Sequence, residues 1–395
     1  MKNILYILFL LSTLVACDLS DNEVSKPISF HKIYDTRGFG DAFTTLDIQE
    51  TSDEGFIILA SKQLETSDFS GAVVLKVDKD GEYVSIQEIE APYVHPVGKL
   101  LKIENQFHFV VMNETTLSSH LVSVNESLSE ITTTSLSLNA RPLSANLDIA
   151  GDIIVLGYNS VDQVSTFSKH NAAGNLLQIQ TYDIGAGDEV EVPIIEHFTS
   201  TGRKLPFFCG QAPDGFYYFN GYINYTLSLV FDNFTGDPIG IIQGSQDKKA
   251  ISAANPQSIL LLSLSRFDEG VNFFTPQHIP SIPGTPIGAD IPGFEIKELV
   301  PDAKVVIKTI VSEQGPRDLY LSTTKSGQLV LMGYDVSTNQ QTGIKYLGFS
   351  NPYAAGGFTT TTDGGLAICG STFQAGRFAR ICMFKISAEE VQKLF

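Results

Sequence analysis

An eleven-residue segment near the start of the chain, Thr51–Ser61 (TSDEGFIILAS), returns without gaps near its end as Thr361–Ser371 (TTDGGLAICGS). Five positions are identical: Thr51/Thr361, Asp53/Asp363, Gly55/Gly365, Ile58/Ile368 and Ser61/Ser371. Each copy is a polar turn that hands the chain into a short apolar strand. Each is followed, at a similar distance, by an apolar segment with one lysine, Lys76 in VVLKV and Lys385 in CMFKI. A unit repeated at both ends predicts further copies between them, and units too small to bury both faces alone must stack.

Seven strongly apolar strands mark the copies. They begin near Phe56 (FIILAS), Phe107 (FHFVVM), Ile153 (IIVLGY), Phe216 (FYYFNGY), Ile259 (ILLLSLS), Leu329 (LVLMGY) and Leu366 (LAICGS). Turn residues precede them at Asp53-Glu54-Gly55, Glu104-Asn105, Gly151-Asp152, Asp214-Gly215, Asn255-Pro256 and Ser326-Gly327. The apolar strands lack clean alternation, as expected when both faces are covered. Further on, strand, D/N-x-x-G turn and strand recur around Asp78–Gly81, Asn171–Gly174 and Asp232–Gly236. Units of about 40–50 residues with four short strands predict an all-β fold, a β-propeller. Seven blades fit the seven apolar strands. Uneven spacing around the Pro-rich segment Thr275–Pro292, read as an excursion, and a short Leu329 unit keep six or eight open. The unit resembles propeller-type repeats of bacterial secreted proteins, DGG-(apolar)-G-S followed by K-x-D-x-x-G, clearly at both ends and loosely between. With no tryptophan, the WD-type signature is absent.

The two end copies differ in their continuation. The first runs on into GEYVSIQEI, whereas the last reads Ser387-Ala388-Glu389-Glu390, a capping-box pattern predicting a short terminal helix. The last blade then lacks an outer strand. Ile28–Tyr34 (ISFHKIY) is expected to fill the place and close the ring.

Residues 1–16 read as a secretory signal, with Lys2 ahead of an apolar core too short to span a membrane. Leu14-Val15-Ala16-Cys17 resembles the lipobox of bacterial lipoproteins, which implies lipid attachment at Cys17. Two or three acyl chains, at about 0.8 kcal/mol per buried methylene, make a stable anchor. Asp18, Asp21 and Glu23 resemble the surface-export signal of Bacteroidota-type lipoproteins. The expected organisation is a leader over 1–16, an acidic tether over 17–27 and a propeller over 28–395, anchored at the outer membrane on its surface or periplasmic face.

The formal net charge is −18, and removing a leader with one lysine and no acid leaves −19. Such a chain repels phosphate backbones, so nucleic acid is not an expected partner. The chain carries no G-x-S-x-G, H-E-x-x-H, Walker or G-x-G-x-x-G motif, hence no expected catalytic residue, metal ligand or cofactor. Asp78–Glu82 has the start of a calcium loop without its later glutamate and reads as a hairpin turn. Glu189, Glu191, Glu196 and His197 form the densest ionisable group and read as a solvated loop near a blade's inner strand. The aromatic run Tyr217, Tyr218, Phe219, Tyr222 and Tyr225 reads as packing between blades. Cys209, Cys369 and Cys382 read as buried thiols, the last two near enough in the pattern to pair. The functional expectation is a non-enzymatic module that binds an outer-membrane or surface protein, or a glycan ligand, with Thr275–Pro292 as contact loop. The alternative is a carbohydrate-active hydrolase or lyase, which needs two or three carboxylates converging in the propeller funnel.

Overall fold

The computed structural model describes residues 29–35, 41–245, 248–312, 315–374 and 378–395. The leader, Cys17 and the tether lie outside them. The described chain forms antiparallel four-stranded sheets arranged as seven blades. Blade 1 holds Phe43–Glu50, Phe56–Gln63, Ser70–Val77 and Tyr83–Glu88; blade 2 holds Leu101–Ile103, Gln106–Asn113, Ser118–Asn125 and Ile131–Ala140. The two are joined edge to edge by the short strand Tyr93–Val94. Blade 3 runs from Pro142 to Asp183, blade 4 from Phe208 to Ile242, blade 5 from Lys249 to Glu295 and blade 6 from Val306 to Leu347. Blade 7 is built from Tyr353–Thr360, Leu366–Gln374 and Phe378–Ile386.

Its fourth strand comes from the other end of the chain. Phe30–Tyr34 pairs antiparallel with Phe378–Ile386, Phe30 opposite Lys385 and Tyr34 opposite Ile381. The predicted capping box is present at Ser387 and Glu390, opening the helix Ala388–Gln392. Ser29 ties the two ends together: its hydroxyl bonds the Glu390 carboxylate and accepts from Ser387 N at 3.0 Å.

The missing alternation now has a cause. The buried apolar residues fall into seven clusters, one at each interface between neighbouring blades. In FIILAS, Phe56, Ile58 and Ala60 face blade 7, while Ile57 and Leu59 face blade 2. Each fully buried side chain of this size contributes about 1.5–3 kcal/mol, so every blade depends on both neighbours.

The end repeat is a hairpin clamp. Lys385 Nζ reaches back to Asp363 Oδ1 at 2.7 Å and to Thr361 Oγ1 at 2.8 Å. Lys76 makes the same contacts with Asp53 at 2.7 Å and Thr51 at 2.6 Å. Gly55 is required for space: a Cβ there would stand 2.6 Å from Val77 O and 2.9 Å from Lys76 Nζ. Ser371 and Thr45 stitch blade 7 to blade 1, Thr45 N donating to Ser371 Oγ at 2.8 Å.

Three details of the blades depart from the sequence expectation. The Leu329 strand is the third of its blade, and the second is Gly315–Thr323. That strand opens with Pro316-Arg317-Asp318, which breaks the apolar run. Asp318 is nevertheless fully buried, bonded to Thr309, Ser263 and Asn255. Blade 6 therefore lacks no strand. Asn255-Pro256 lies inside the strand Lys249–Ser258, and the turn falls at Ile259-Leu260. The Pro-rich excursion starts later than expected, because Thr275–His278 still belongs to the third strand of blade 5.

Candidate functional site

The first strands of the blades surround a common axis, and side-chain bonds pass from one to the next around it. Asn146 Nδ2 donates to Cys209 O at 2.9 Å, linking blades 3 and 4. Asn255 Nδ2 donates to Thr309 Oγ1 at 2.8 Å, linking blades 5 and 6. Lys308 Nζ bonds Phe358 O across blades 6 and 7. Gln49 Nε2 donates to Leu100 O at 3.2 Å, linking blades 1 and 2.

Lysines occupy this axis. Lys304 Nζ donates to Leu46 O of blade 1 at 3.1 Å. Lys308 Nζ also lies 5.2 Å from the Phe358 ring centre. Lys99 enters from the segment ahead of blade 2, beside Leu100, whose N–H donates to Asp47 Oδ2 at 3.0 Å. Asp47 is buried on the first strand of blade 1. Lys304 is exposed to solvent, and Lys308 and Lys99 are half-buried. A solvent-exposed side chain that reaches from just ahead of blade 6 to the first strand of blade 1 lies on the central channel expected of a propeller. Burial pushes the Lys304 ammonium down, against the pull of Cys369 and Asp47, with Lys99 adding to the depression. Burial likewise lowers Lys308 to about 8, opposed by Asp47 and assisted by Lys99. Among the described residues, none of the three ammonium groups has a carboxylate within ion-pair distance.

A cap crosses one face of the ring. Between blades 3 and 4 the chain forms the helix Asp188–Phe198 where a solvated loop was expected. Val190, Ile194 and Phe198 make its buried stripe, at helical spacing, against Val94 and Met112 of the first two blades. The following segment reaches further: Ser200 N donates to Asp68 O of blade 1 at 2.6 Å. Arg203 pairs with Asp302 ahead of blade 6 at 2.7 Å and lies over the Phe267 ring of blade 5. Lys204 Nζ closes the helix end, donating to His197 O at 2.7 Å and Thr199 O at 2.6 Å.

Beneath the cap, His197 and His95 meet with ring centres 5.7 Å apart. His197 Nδ1 accepts from Leu205 N at 2.8 Å, so its proton sits on Nε2. Both imidazoles are buried. Burial, with Lys204 close by, holds His95 down at about 3 and His197 well below the usual histidine range. They are therefore neutral packing groups that staple the cap. The carboxylates of the expected cluster point elsewhere: Glu191 accepts from Tyr158 Oη at 2.7 Å, and Glu189 and Glu196 are exposed.

The remaining sequence candidates resolve into structure. Asp78 Oδ1 accepts from Asp80 N at 3.0 Å and Glu82 N at 2.8 Å, a hairpin turn. Tyr217, Phe219 and Tyr222 pack between blades 3 and 4, while Tyr225 is exposed at a turn. Cys209, Cys369 and Cys382 are buried free thiols, and burial pushes Cys369 up to about 12. Cys369 and Cys382 fall in separate clusters, on opposite faces of blade 7. The Pro-rich excursion lies along the outer edge of blade 4. Gln243 N donates to Pro286 O, and Gly288 N donates to Gln243 O, both at 2.8 Å. It covers the open edge strand of that blade.

No family model matches the chain, and no curated protein matches it. Among solved structures, the β-propeller domain of the Trilobed protease from Pyrococcus furiosus is similar over 89% of this chain and 97% of that one, with 9% identity and a TM-score of 0.48. The Dos1 propeller is similar over 91% of this chain and 95% of that one, with 12% identity and a TM-score of 0.48. Quinohemoprotein alcohol dehydrogenase ADHIIG from Pseudomonas putida HK5 is similar over 91% of this chain and 76% of that one, with 9% identity and a TM-score of 0.45. The seven blades carry the fold assignment by themselves.

Lys99, Lys304, Lys308, Asp47, His95 and Lys204 were not singled out from the sequence. One local signal existed: in AKVVIKTI, Lys304, Val306 and Lys308 alternate with Val305 and Ile307, which pack between blades 5 and 6, the strand itself beginning at Val306.

Proposed function

We propose that this protein is a lipid-anchored binding module of the bacterial cell envelope, held at Cys17 and offering its capped face to a protein partner or an extracellular ligand. The observation that carries this reading is the opposition of the two faces. The chain enters the ring at Ser29, beside the Thr361–Gly365 turn and the terminal helix. The cap touches Asp68 and Asp302, in connections on the opposite face. With a tether upstream of Ser29, this reading turns the cap and the channel mouth beneath it away from the membrane. Rigidity supports binding as well, because interlocked blades hold a site without an ordering cost on association.

The glycoside-cleaving alternative asks for converging carboxylates. Among the described residues, Asp47 is accompanied on the axis by lysines rather than by a second carboxylate. Replacing Cys17 with alanine and fractionating cells tests the anchoring. The variant should move from the membrane pellet, or the detergent phase, to the soluble fraction. A variant that stays with the membrane overturns the lipid anchor. Protease added to intact cells then reports whether the capped face is outside.

A further inference from the structure

We infer that the axial channel binds a small oxyanion of charge −2, phosphate or sulfate in type, between the ammonium groups of Lys99, Lys304 and Lys308. The inference concerns this channel alone and does not depend on the anchor. In a chain of net charge −18, Lys304 bonds the carbonyl of Leu46 next to Asp47, Lys308 bonds the carbonyl of Phe358 next to Gly357, which lies against Asp47, and Lys99 precedes Leu100, whose N–H bonds Asp47. Three other lysines that enter the structure are paired, Lys76 with Asp53, Lys169 with Asp148 and Lys385 with Asp363, whereas Lys204 under the cap, like Lys304 and Lys308, bonds only backbone carbonyls. The axial lysines differ from the three paired ones in having no carboxylate within ion-pair distance among the described residues. Lys304 and Lys308 give hydrogen bonds only to backbone carbonyls, which leave their charge uncompensated. Lys99 Nζ makes no hydrogen bond to any described residue. Each ammonium has three donors, so most of the donor capacity on the axis is uncommitted. With Asp47 counted, the excess is two positive charges, the charge that one such oxyanion cancels.

Physical cost argues the same way. Cations crowded by protein and by one another are unfavourable unless a counter-charge arrives. The depression of Lys304 and Lys308 expresses that strain, and a bound anion removes it. A plain water-filled lining needs neither the crowding nor the excess charge, since threonine or asparagine would serve.

The test is isothermal titration of inorganic phosphate, sulfate and phenyl phosphate into the full-length protein in detergent at pH 7, against chloride at matched ionic strength. One saturable equivalent is expected, with sulfate and phosphate competing. Phenyl phosphate binding as tightly as phosphate assigns the channel to phosphate esters; its exclusion assigns it to the free ion. The double variant Lys304→Met/Lys308→Met should bind at least about tenfold more weakly. Lys308→Arg should retain binding, and Lys79→Met, in an exposed turn, should leave it unchanged. Affinity should fall as pH rises through about 8, where Lys308 loses its proton. No saturable heat, an equal response to chloride, or unchanged affinity in the folded double variant and in Lys99→Met would overturn the inference.

Discussion

Two sets of lysines in this ring have opposite surroundings. Lys76 and Lys385 reach back from third strands onto Asp53 and Asp363, each with a threonine hydroxyl as second acceptor. Their side chains are only 4% and 7% exposed, and their charge is cancelled inside the blade. Lys99, Lys304 and Lys308 meet between blades, where no single hairpin can supply a counter-charge. The first kind completes a local turn. The second is affordable only in a channel that water or an anion can enter, and its placement serves the assembled ring.

The largest effect should come from breaking a clamp. Asp363→Ala leaves Lys385 buried and unpaired. A fully buried pair costs about 3–5 kcal/mol to break. With the carboxylate half open to water, the expected loss is about 2 kcal/mol, read from the urea midpoint. Asp53→Ala should behave alike. Lys308→Met is expected to do the reverse, leaving stability unchanged or raising it by about 1 kcal/mol after allowance for water in the channel. A loss as large as that of Asp363→Ala would erase the distinction between the two sets.

The smallest effect is a pH dependence. The folded state holds Lys308 at about 8, below its ordinary 10.5, so the unfolded chain binds more protons between those values. Stability contributed by this group therefore rises with pH across that window and is least below 8. Urea midpoints of the parent and Lys308→Met should converge as pH rises from about 8 to 10.5. Parallel curves would mean that Lys308 titrates freely.

What could be read from the sequence was what the chain encodes locally. The Asp53–Gly55 and Asp363–Gly365 turns, the apolar second strands and the Ser387–Glu390 cap are each made by a few consecutive residues. Closure followed because the last unit visibly lacked a strand. Blade 6 was misregistered because Asp318 is buried through partners on other strands, which no local run reveals. The helix Asp188–Phe198 was hidden by Pro193 inside it and by Gly187 at its start, which offers no capping side chain. The axis was out of reach for a different reason. Lys99 and Lys304 lie two hundred residues apart, and an isolated lysine in a sequence reads as a solvated one.

The closing strand also sets how the molecule bears a load. Phe30–Tyr34 is the point where any pull from upstream enters the ring, and it lies antiparallel against Phe378–Ile386 with Ser29 at the end nearest the terminal helix. A force on Ser29 directed out of that face runs along the strand. It strains all the ladder hydrogen bonds at once instead of peeling them singly. Forced rupture is governed by the barrier to opening rather than by equilibrium stability, so this seam is set to slide as a unit or hold.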